Sequence, residues 1–402
     1  MKTDMTEFSM IHDTAEERAQ TGSCPDEVRV SNDSRRFPSE TVPTGLELSA
    51  YFEEARRRIL HVLNGTDEDW GSYRWQLTNS IRDLDVLRQI INLSEPEVQE
   101  IEKVGKLHRW SISPFYASLM DPDDSSCPIR QQSLPSAREI INTVEDAQPL
   151  VFDERSPAPL ITRLYDDRLI IKLTNMCTVF CRHCQRKKDI NSRDVFPDAS
   201  SVEKALDYIR ENREIRDVLL TGGDALALPD DQLDSILTQL GRIPHVEIIR
   251  LGSRMPCVLP QRITPELCRV LEKHDPVYLN TQFNHPREIT REARKAVDML
   301  TRAGVVVRDQ TVLLKGVNDD AETVKRLMQG LLRIKVAPYY LFLCKRIEGA
   351  LHFCTTVEEG RKIIEQLQGH TTGMAVPRLI THVTDGRGKV PIYPRIEPPS
   401  FD

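Results

Sequence analysis

Residues 169–189 read LIIKLTNMCTVFCRHCQRKKD. The mostly apolar run 169–173 has the length and composition of a short strand. Three cysteines, Cys177, Cys181 and Cys184, follow within eight residues. Further short apolar runs recur at 218–220, 246–251, 277–280, 305–314 and 339–343, with helix-like stretches near 201–213, 230–241, 264–274, 287–303 and 320–334 between them. Six strands with five intervening helices predict parallel βαβ units, in a sheet that is either doubly wound or an open partial barrel. Ligands of such sheets gather at the carboxyl ends of the strands. The cysteine loop follows the first predicted strand and Gly222-Gly223-Asp224 follows the second, so both are expected on one rim.

The 402 residues suffice for one large domain or two ordinary ones. With 39% hydrophobic and 29% charged residues the composition is that of a soluble globular protein. A net charge of −7 gives no support to binding of nucleic acid or of an anionic membrane surface. No apolar run reaches the roughly 18 residues of a membrane span, and the acidic start MKTDMTEFSMIHDTAEERAQ lacks the apolar stretch of a secretory signal. A cytoplasmic, reducing setting is expected, in which the nine cysteines serve as buried thiols or metal ligands rather than disulfides. Residues 1–44 are polar and are expected to form a disordered or loose arm. A helical segment is expected from 45 to 160. In it Tyr51, Ala55, Ile59 and Val62 recur at three and four, as do Leu77, Ile81, Leu84, Leu87 and Ile91, and Pro96 opens a further short helix.

Three close cysteines without a fourth narrow the chemistry. A structural zinc site closes with four ligands, usually in two separated pairs, but no second C-x-x-C exists and the other six cysteines are scattered. A thioredoxin-like pair does not suit the third cysteine and the Arg186-Lys187-Lys188 run. A [4Fe–4S] cluster normally takes four thiolates. Three leave one iron open, much as a catalytic metal keeps a position for its substrate. The cluster is the better reading and zinc the minor one. Lys187 and Lys188 read as solvated surface.

Cys-x3-Cys-x2-Cys after the first strand resembles the hallmark of the radical S-adenosylmethionine superfamily, and LLTGGDAL at 219–226 resembles its second signature. RWQLTNSI, SISPFYASLMDPDDSSCPIR, LPQRIT, NTQFNHPREIT, DQTVLLKGVND, GHTTGMAVPRLI and GRGKVPIYP extend the resemblance, from about Trp75 to Pro394, to the lysine 2,3-aminomutase family. The resemblance implies an α/β fold: a partial (β/α)6 TIM-type barrel over 161–345, preceded by the helical segment 45–160 and followed by a C-terminal segment, 346–402, that carries a pyridoxal-binding lysine. It implies a [4Fe–4S] cluster on Cys177, Cys181 and Cys184 that cleaves S-adenosylmethionine to a 5′-deoxyadenosyl radical, and migration of an α-amino group to the β-carbon beside pyridoxal 5′-phosphate. By the same resemblance Gly222, Gly223, Asp224 and Gln310 line the S-adenosylmethionine site, and His183 is a packing residue or an adenine neighbour. Lys389 holds the pyridoxal phosphate, which Tyr165 and Arg168 contact. Arg186 grips the substrate α-carboxylate, for which a bidentate guanidinium is suited. A homodimer and an electron donor such as flavodoxin or ferredoxin are implied as partners, with no nucleic acid or membrane.

The departures from the family pattern concern the substrate. Lysine enzymes hold the substrate ε-ammonium between two aspartates, and the matching positions here are Lys345 and His382. A lysine side chain would meet Lys345 with like-charge repulsion. The glutamate 2,3-aminomutase branch also carries lysine at the first position, so conversion of L-glutamate to β-glutamate is the expected reaction. Lysine or a neutral amino acid, and a non-mutase iron–sulfur protein, are the alternatives. A family arginine before Tyr165 is Leu164 here, with Arg163 adjacent as a substitute for its phosphate contact. A family histidine is Gln282. One family zinc ligand is replaced by Asp320 and the others lie in an extension this chain lacks, so no structural zinc is expected.

Overall fold

A computed structural model describes residues 42–141, 156–190, 193–383 and 387–395. The expected arm lies outside these residues except for its last three. Those are docked: the Val42 carbonyl accepts from Arg326 Nε, and the Thr44 N–H donates to Glu47. All described residues fall within one contiguous unit, Ser39–Asp402.

One sheet orders its strands as they occur in the chain. They are β1 (Ile161–Thr162), β2 (Arg168–Thr174), β3 (Asp217–Gly222), β4 (Ile248–Gly252), β5 (Val277–Thr281), β6 (Val306–Leu313), β7 (Ala337–Leu343), β8 (Arg378–Val383) and β9 (Gly388–Pro391). β2 to β8 pair in parallel, and β1 and β9 add antiparallel edges. The first and last strands are not hydrogen-bonded to each other, so the curled sheet is a partial barrel. The sequence reading foresees β2–β7. It places the end of the barrel at residue 345, whereas β8 and β9, which belong to the C-terminal segment 346–402, continue the same sheet.

Alternation along the strands sets the inside of the barrel. In β2, Leu169, Ile171 and Leu173 are buried, while Ile170 and Lys172 are only partly covered and line a cavity. The register carries this inward face across the sheet: Ile170 pairs with Leu219, Leu219 with Arg250, and Arg250 with Tyr278. At the last ladder His382 pairs with Lys389.

Side-chain caps fix where most of the crossover helices begin. Asp198, Thr264, Thr290, Asp320 and Thr356 each accept from a backbone N–H of the first turn. Asp320 thus starts the helix Ala321–Arg333. The helix expected from 287 begins at Arg291, because Pro286–Glu288 is a 3-10 turn and Thr290 caps the helix Arg291–Arg302.

Helices between Ser49 and Ile141 make up the N-terminal part. The first buries Phe52, Ala55, Ile59 and Leu60 instead of the Tyr51 and Val62 stripe. This part reaches the barrel rim: Ser113 Oγ donates to the Val258 carbonyl at 2.6 Å, and the Arg182 N–H donates to the Gln132 carbonyl at 2.8 Å. Among the described residues no helix is long and apolar enough to cross a membrane.

Candidate active site

The strands of the barrel surround a cavity of about 390 Å³. Cys177, Cys181, Cys184, Gly222, Gly223, Asp224, Gln310, Tyr165, Arg168, Arg186, Lys345, His382 and Lys389 all line it. Every site residue expected from the sequence therefore opens onto one space. They reach it from β2, β3, β6, β7, β8 and β9 or from the loops beside them. The cysteine and glycine loops and Lys345 follow the carboxyl ends of their strands, as the rim argument requires, whereas Tyr165 and Arg168 stand at the amino end of β2.

The cysteine loop is wedged against the glycine loop. The Gly223 N–H donates to the Thr174 carbonyl, and the Asp224 N–H donates to the Met176 carbonyl at 2.9 Å. A Cβ on Gly222 would stand 2.2 Å from the Thr174 carbonyl oxygen, and one on Gly223 2.2 Å from that of Met176. The two glycines are thus required first by the approach of two protein loops. The Asp224 carboxylate accepts from the N–H groups of Leu226 at 2.9 Å and Arg254 at 2.8 Å, leaving further lone pairs on the same oxygens. Burial pushes its pKa up.

Burial also pushes the Cys177 and Cys184 thiols above their ordinary range. The Cys184 sulfur accepts from the Arg186 N–H at 3.3 Å. The Cys181 sulfur accepts from the Arg254 guanidinium at 2.9 Å. Arg254, which sequence reasoning missed, is buried and also donates to Glu288 at 2.7 Å, Gln132 at 2.8 Å and Tyr116 at 3.1 Å. Its signal was available: it stands two residues beyond β4, on the same rim.

Lys187 corrects the reading of the basic run as surface. It is 5% exposed. Its ammonium contacts Glu139 at 2.6 Å and donates to the carbonyls of Arg182 and Gly349 at 2.9 and 2.8 Å. Arg182 grips the same carboxylate through two nitrogens, at 2.8 and 2.6 Å.

At the other end of the cavity Lys389 lies on β9, with Nζ 5.0 Å from the Tyr340 ring centre and 5.1 Å from that of Phe342. Burial pushes its pKa down to about 8, helped by the charges of Arg250, Arg168 and Lys345. Its N–H donates to Tyr165 Oη at 2.9 Å, and the Arg168 guanidinium stacks 3.7 Å from the Tyr165 ring centre. Burial, with Lys345 and Lys389 nearby, lowers the pKa of His382 to about 4, so it is neutral near pH 7. Arg163 does not replace the family arginine. It turns away to Tyr208, Asn212 and Glu214, while Leu164 lines the cavity. Arg250, also missed from the sequence, supplies a cation there, paired with Asp217 at 2.7 Å.

Gly388 has φ +73°, and a Cβ there would stand 2.3 Å from Tyr165 Oη. Gly388→Ala is expected to shift β9 or Tyr165, at a cost of about 1–3 kcal/mol. Pyridoxal phosphate retained after desalting, read by absorbance, is expected to fall roughly tenfold.

The radical S-adenosylmethionine superfamily model matches residues 171–328. The glutamate 2,3-aminomutase of Clostridioides difficile is 48% identical over 356 residues, covering 89% of this chain and 84% of that one. The L-lysine 2,3-aminomutase of Fusobacterium nucleatum is 46% identical over 83% of this chain and 78% of its own. That of Clostridium subterminale is 44% identical over 82% and 79%. The class is therefore that of the radical S-adenosylmethionine enzymes. The chain belongs to the lysine 2,3-aminomutase family, isomerases that work with a [4Fe–4S] cluster, S-adenosylmethionine and pyridoxal phosphate.

The residues present fit these groups. Four buried polar atoms on cavity-lining residues have no protein partner: Thr162 Oγ1, His183 Nδ1, Asn280 Nδ2 and Thr281 Oγ1. Among the described residues no three thiol, imidazole or carboxylate groups converge as a single ion requires. A cluster does not require that convergence, since each thiolate takes a different iron corner.

Proposed function

We propose that this protein is an L-glutamate 2,3-aminomutase, moving the α-amino group of glutamate to its β-carbon. The observation that carries the reading is the charge of the cavity. Arg168, Lys172, Arg186, Arg250, Arg254, Lys345 and Lys389 line it, against Asp224 as the one carboxylate among the described lining residues. Asp167, Asp189, Asp217 and Glu288 pair with Arg168, Lys172, Arg250 and Arg254 from behind, so the cations that carry the reading are Arg186 and Lys345, beside the cofactor lysine Lys389. The γ-carboxylate of glutamate finds cations there, whereas the ε-ammonium of lysine finds no acidic partner at Lys345 and His382.

When bound, the cluster and S-adenosylmethionine supply a carbon-centred radical that abstracts hydrogen, and pyridoxal phosphate supplies the conjugation across which nitrogen migrates. The chain's own residues hold and orient. Cys177, Cys181 and Cys184 hold the cluster, and Gly222, Gly223, Asp224 and Gln310 border S-adenosylmethionine. Lys389 anchors the pyridoxal phosphate covalently, Tyr165 and Arg168 flank it, and Arg250 adds positive charge for its phosphate. Arg186 spends one guanidinium nitrogen on the Gly222 carbonyl at 2.7 Å and keeps its others for the substrate α-carboxylate. Lys345 and a neutral His382 receive the γ-carboxylate. Fixing both ends of the substrate holds the β-carbon in place for hydrogen abstraction. A cytoplasmic homodimer served by a flavodoxin or ferredoxin completes the reading.

The test is an anaerobic assay with dithionite, offering L-glutamate, L-lysine, L-aspartate and L-glutamine in parallel and reading β-amino acids by mass spectrometry. β-Glutamate is expected. Lys345→Asp is expected to lower turnover of glutamate by about 10²–10³-fold, since breaking a buried charge pair costs about 2–5 kcal/mol. β-Lysine from the unaltered protein would overturn the assignment of substrate.

A further inference from the structure

The side-chain amides beneath the cysteine loop decide where one buried imidazole carries its proton. The Val312 backbone N–H donates to Asn284 Oδ1 at 3.0 Å, so that atom is the oxygen and Nδ2 is the amide nitrogen. Asn284 Nδ2 donates to Gln132 Oε1 at 2.7 Å, an oxygen that also accepts from the Arg254 guanidinium at 2.8 Å. Gln282 Nε2 donates to Asn284 Oδ1 at 3.3 Å, which orients the second amide. Both amide nitrogens then face His183 Nε2, Gln282 at 3.0 Å and Asn284 at 3.5 Å. An atom facing two donors carries no hydrogen. His183 is therefore neutral, with its hydrogen on Nδ1. That nitrogen is buried without a protein partner, on a residue that lines the cavity and stands between Cys181 and Cys184. A buried donor left unmade is costly, and the two cysteines that flank this residue put its ring beside the group the site receives.

We propose that His183 is a positioning residue for the cluster, held by Gln282 and Asn284 as the Nδ1–H tautomer and donating that hydrogen to a cluster sulfur. With Arg254 on the Cys181 sulfur, a polar network would then touch the cluster from two directions. Hydrogen bonds to the sulfurs favour the more negative, reduced cluster and raise its potential. The inference rests on the cluster and is independent of which amino acid is the substrate.

The reconstituted holoenzyme is titrated anaerobically with the reduced cluster read by electron paramagnetic resonance, and S-adenosylmethionine binding is measured alongside. His183→Gln and His183→Phe place no donor at the Nδ1 position. Each is expected to lower the reduced-to-oxidised ratio at fixed potential about tenfold, a shift of ~59 mV for one electron. His183→Asn, whose amide reaches the Nδ1 position, is expected to stay near the unaltered protein. A packing role alone would give the opposite order, with phenylalanine mildest. Unaltered protein carrying ¹⁵N-histidine is expected to show an exchangeable proton and a ¹⁵N coupled to the reduced cluster. Absence of both couplings overturns the proposal even if no variant assembles. So does an unchanged potential with weakened S-adenosylmethionine binding, which would assign the hydrogen bond to that ligand.

Discussion

Replacing Lys389 by alanine is expected to leave no aminomutase activity above the anaerobic blank and no absorbance from protein-bound pyridoxal phosphate, with iron content unchanged. In the proposed role the burial of the lysine would prepare it for capture of an aldehyde. Its amine is buried over Tyr340 and Phe342 with a pKa near 8. At pH 7 about one amine in ten is then neutral, against about one in 2,500 at the ordinary lysine value of roughly 10.4. The nucleophilic form is the neutral amine, so it is lost as pH falls below 8. Capture of pyridoxal phosphate by the apo-protein is expected to slow about tenfold per pH unit below that point and to level off above it. Absorbance-monitored reconstitution across pH 6–9 checks this. A Lys389→Ala protein that turns over, or a capture rate flat with pH, would remove the role.

The second large effect is expected at Glu139, a residue that touches neither substrate nor cofactor. Its carboxylate is buried against Arg182 and Lys187, whose own side chains are 2% and 6% exposed. Burial works to raise its pKa, but the two cations hold it below the usual carboxylate range. Glu139→Ala leaves two buried cations without their counter-ion, at a cost of about 3–5 kcal/mol. That is a large share of the roughly 5–15 kcal/mol by which folded proteins are stable. Through Arg182 and Lys187 the loss falls on the cysteine loop, so iron per chain and melting temperature are both expected to drop. Glu139→Gln, which keeps the shape but not the charge, is expected to fall between. The pairing contributes stability above the ordinary carboxylate pKa and loses it as pH falls through the lowered one, so the deficit of the variant narrows in acid. Full iron loading with unchanged melting in Glu139→Ala would exclude the role.

What the sequence disclosed divides along physical lines. β2 to β7 were legible because each is a short apolar run between helical stretches, and the cysteine and glycine loops because residue type and spacing carry their chemistry. β8 was not, because RLITHV mixes charged, polar and apolar residues without a clear period, and β9 was not, because GKVP is too short to show one. Lys187 reads as surface because its partner Glu139 is 48 positions away and no local pattern announces a buried pair. Arg163 and Leu164 could not be sorted from sequence, since both lie in the loop after β1, where no strand or helix period sets which way a side chain faces. Arg254 shows only as one more arginine until the fold sets it against a cysteine.

β9 is an edge strand among the described residues, and it bears Lys389 directly across the ladder from His382. An edge strand is held on one side only, whereas the cysteine loop extends from a strand hydrogen-bonded on both. The two halves of the chemistry are therefore anchored unequally. Fraying of four residues suffices to carry the cofactor lysine out of the barrel, while the cysteines stay until the sheet itself comes apart. On gradual denaturation of the holoenzyme, loss of pyridoxal phosphate is therefore expected to precede loss of iron.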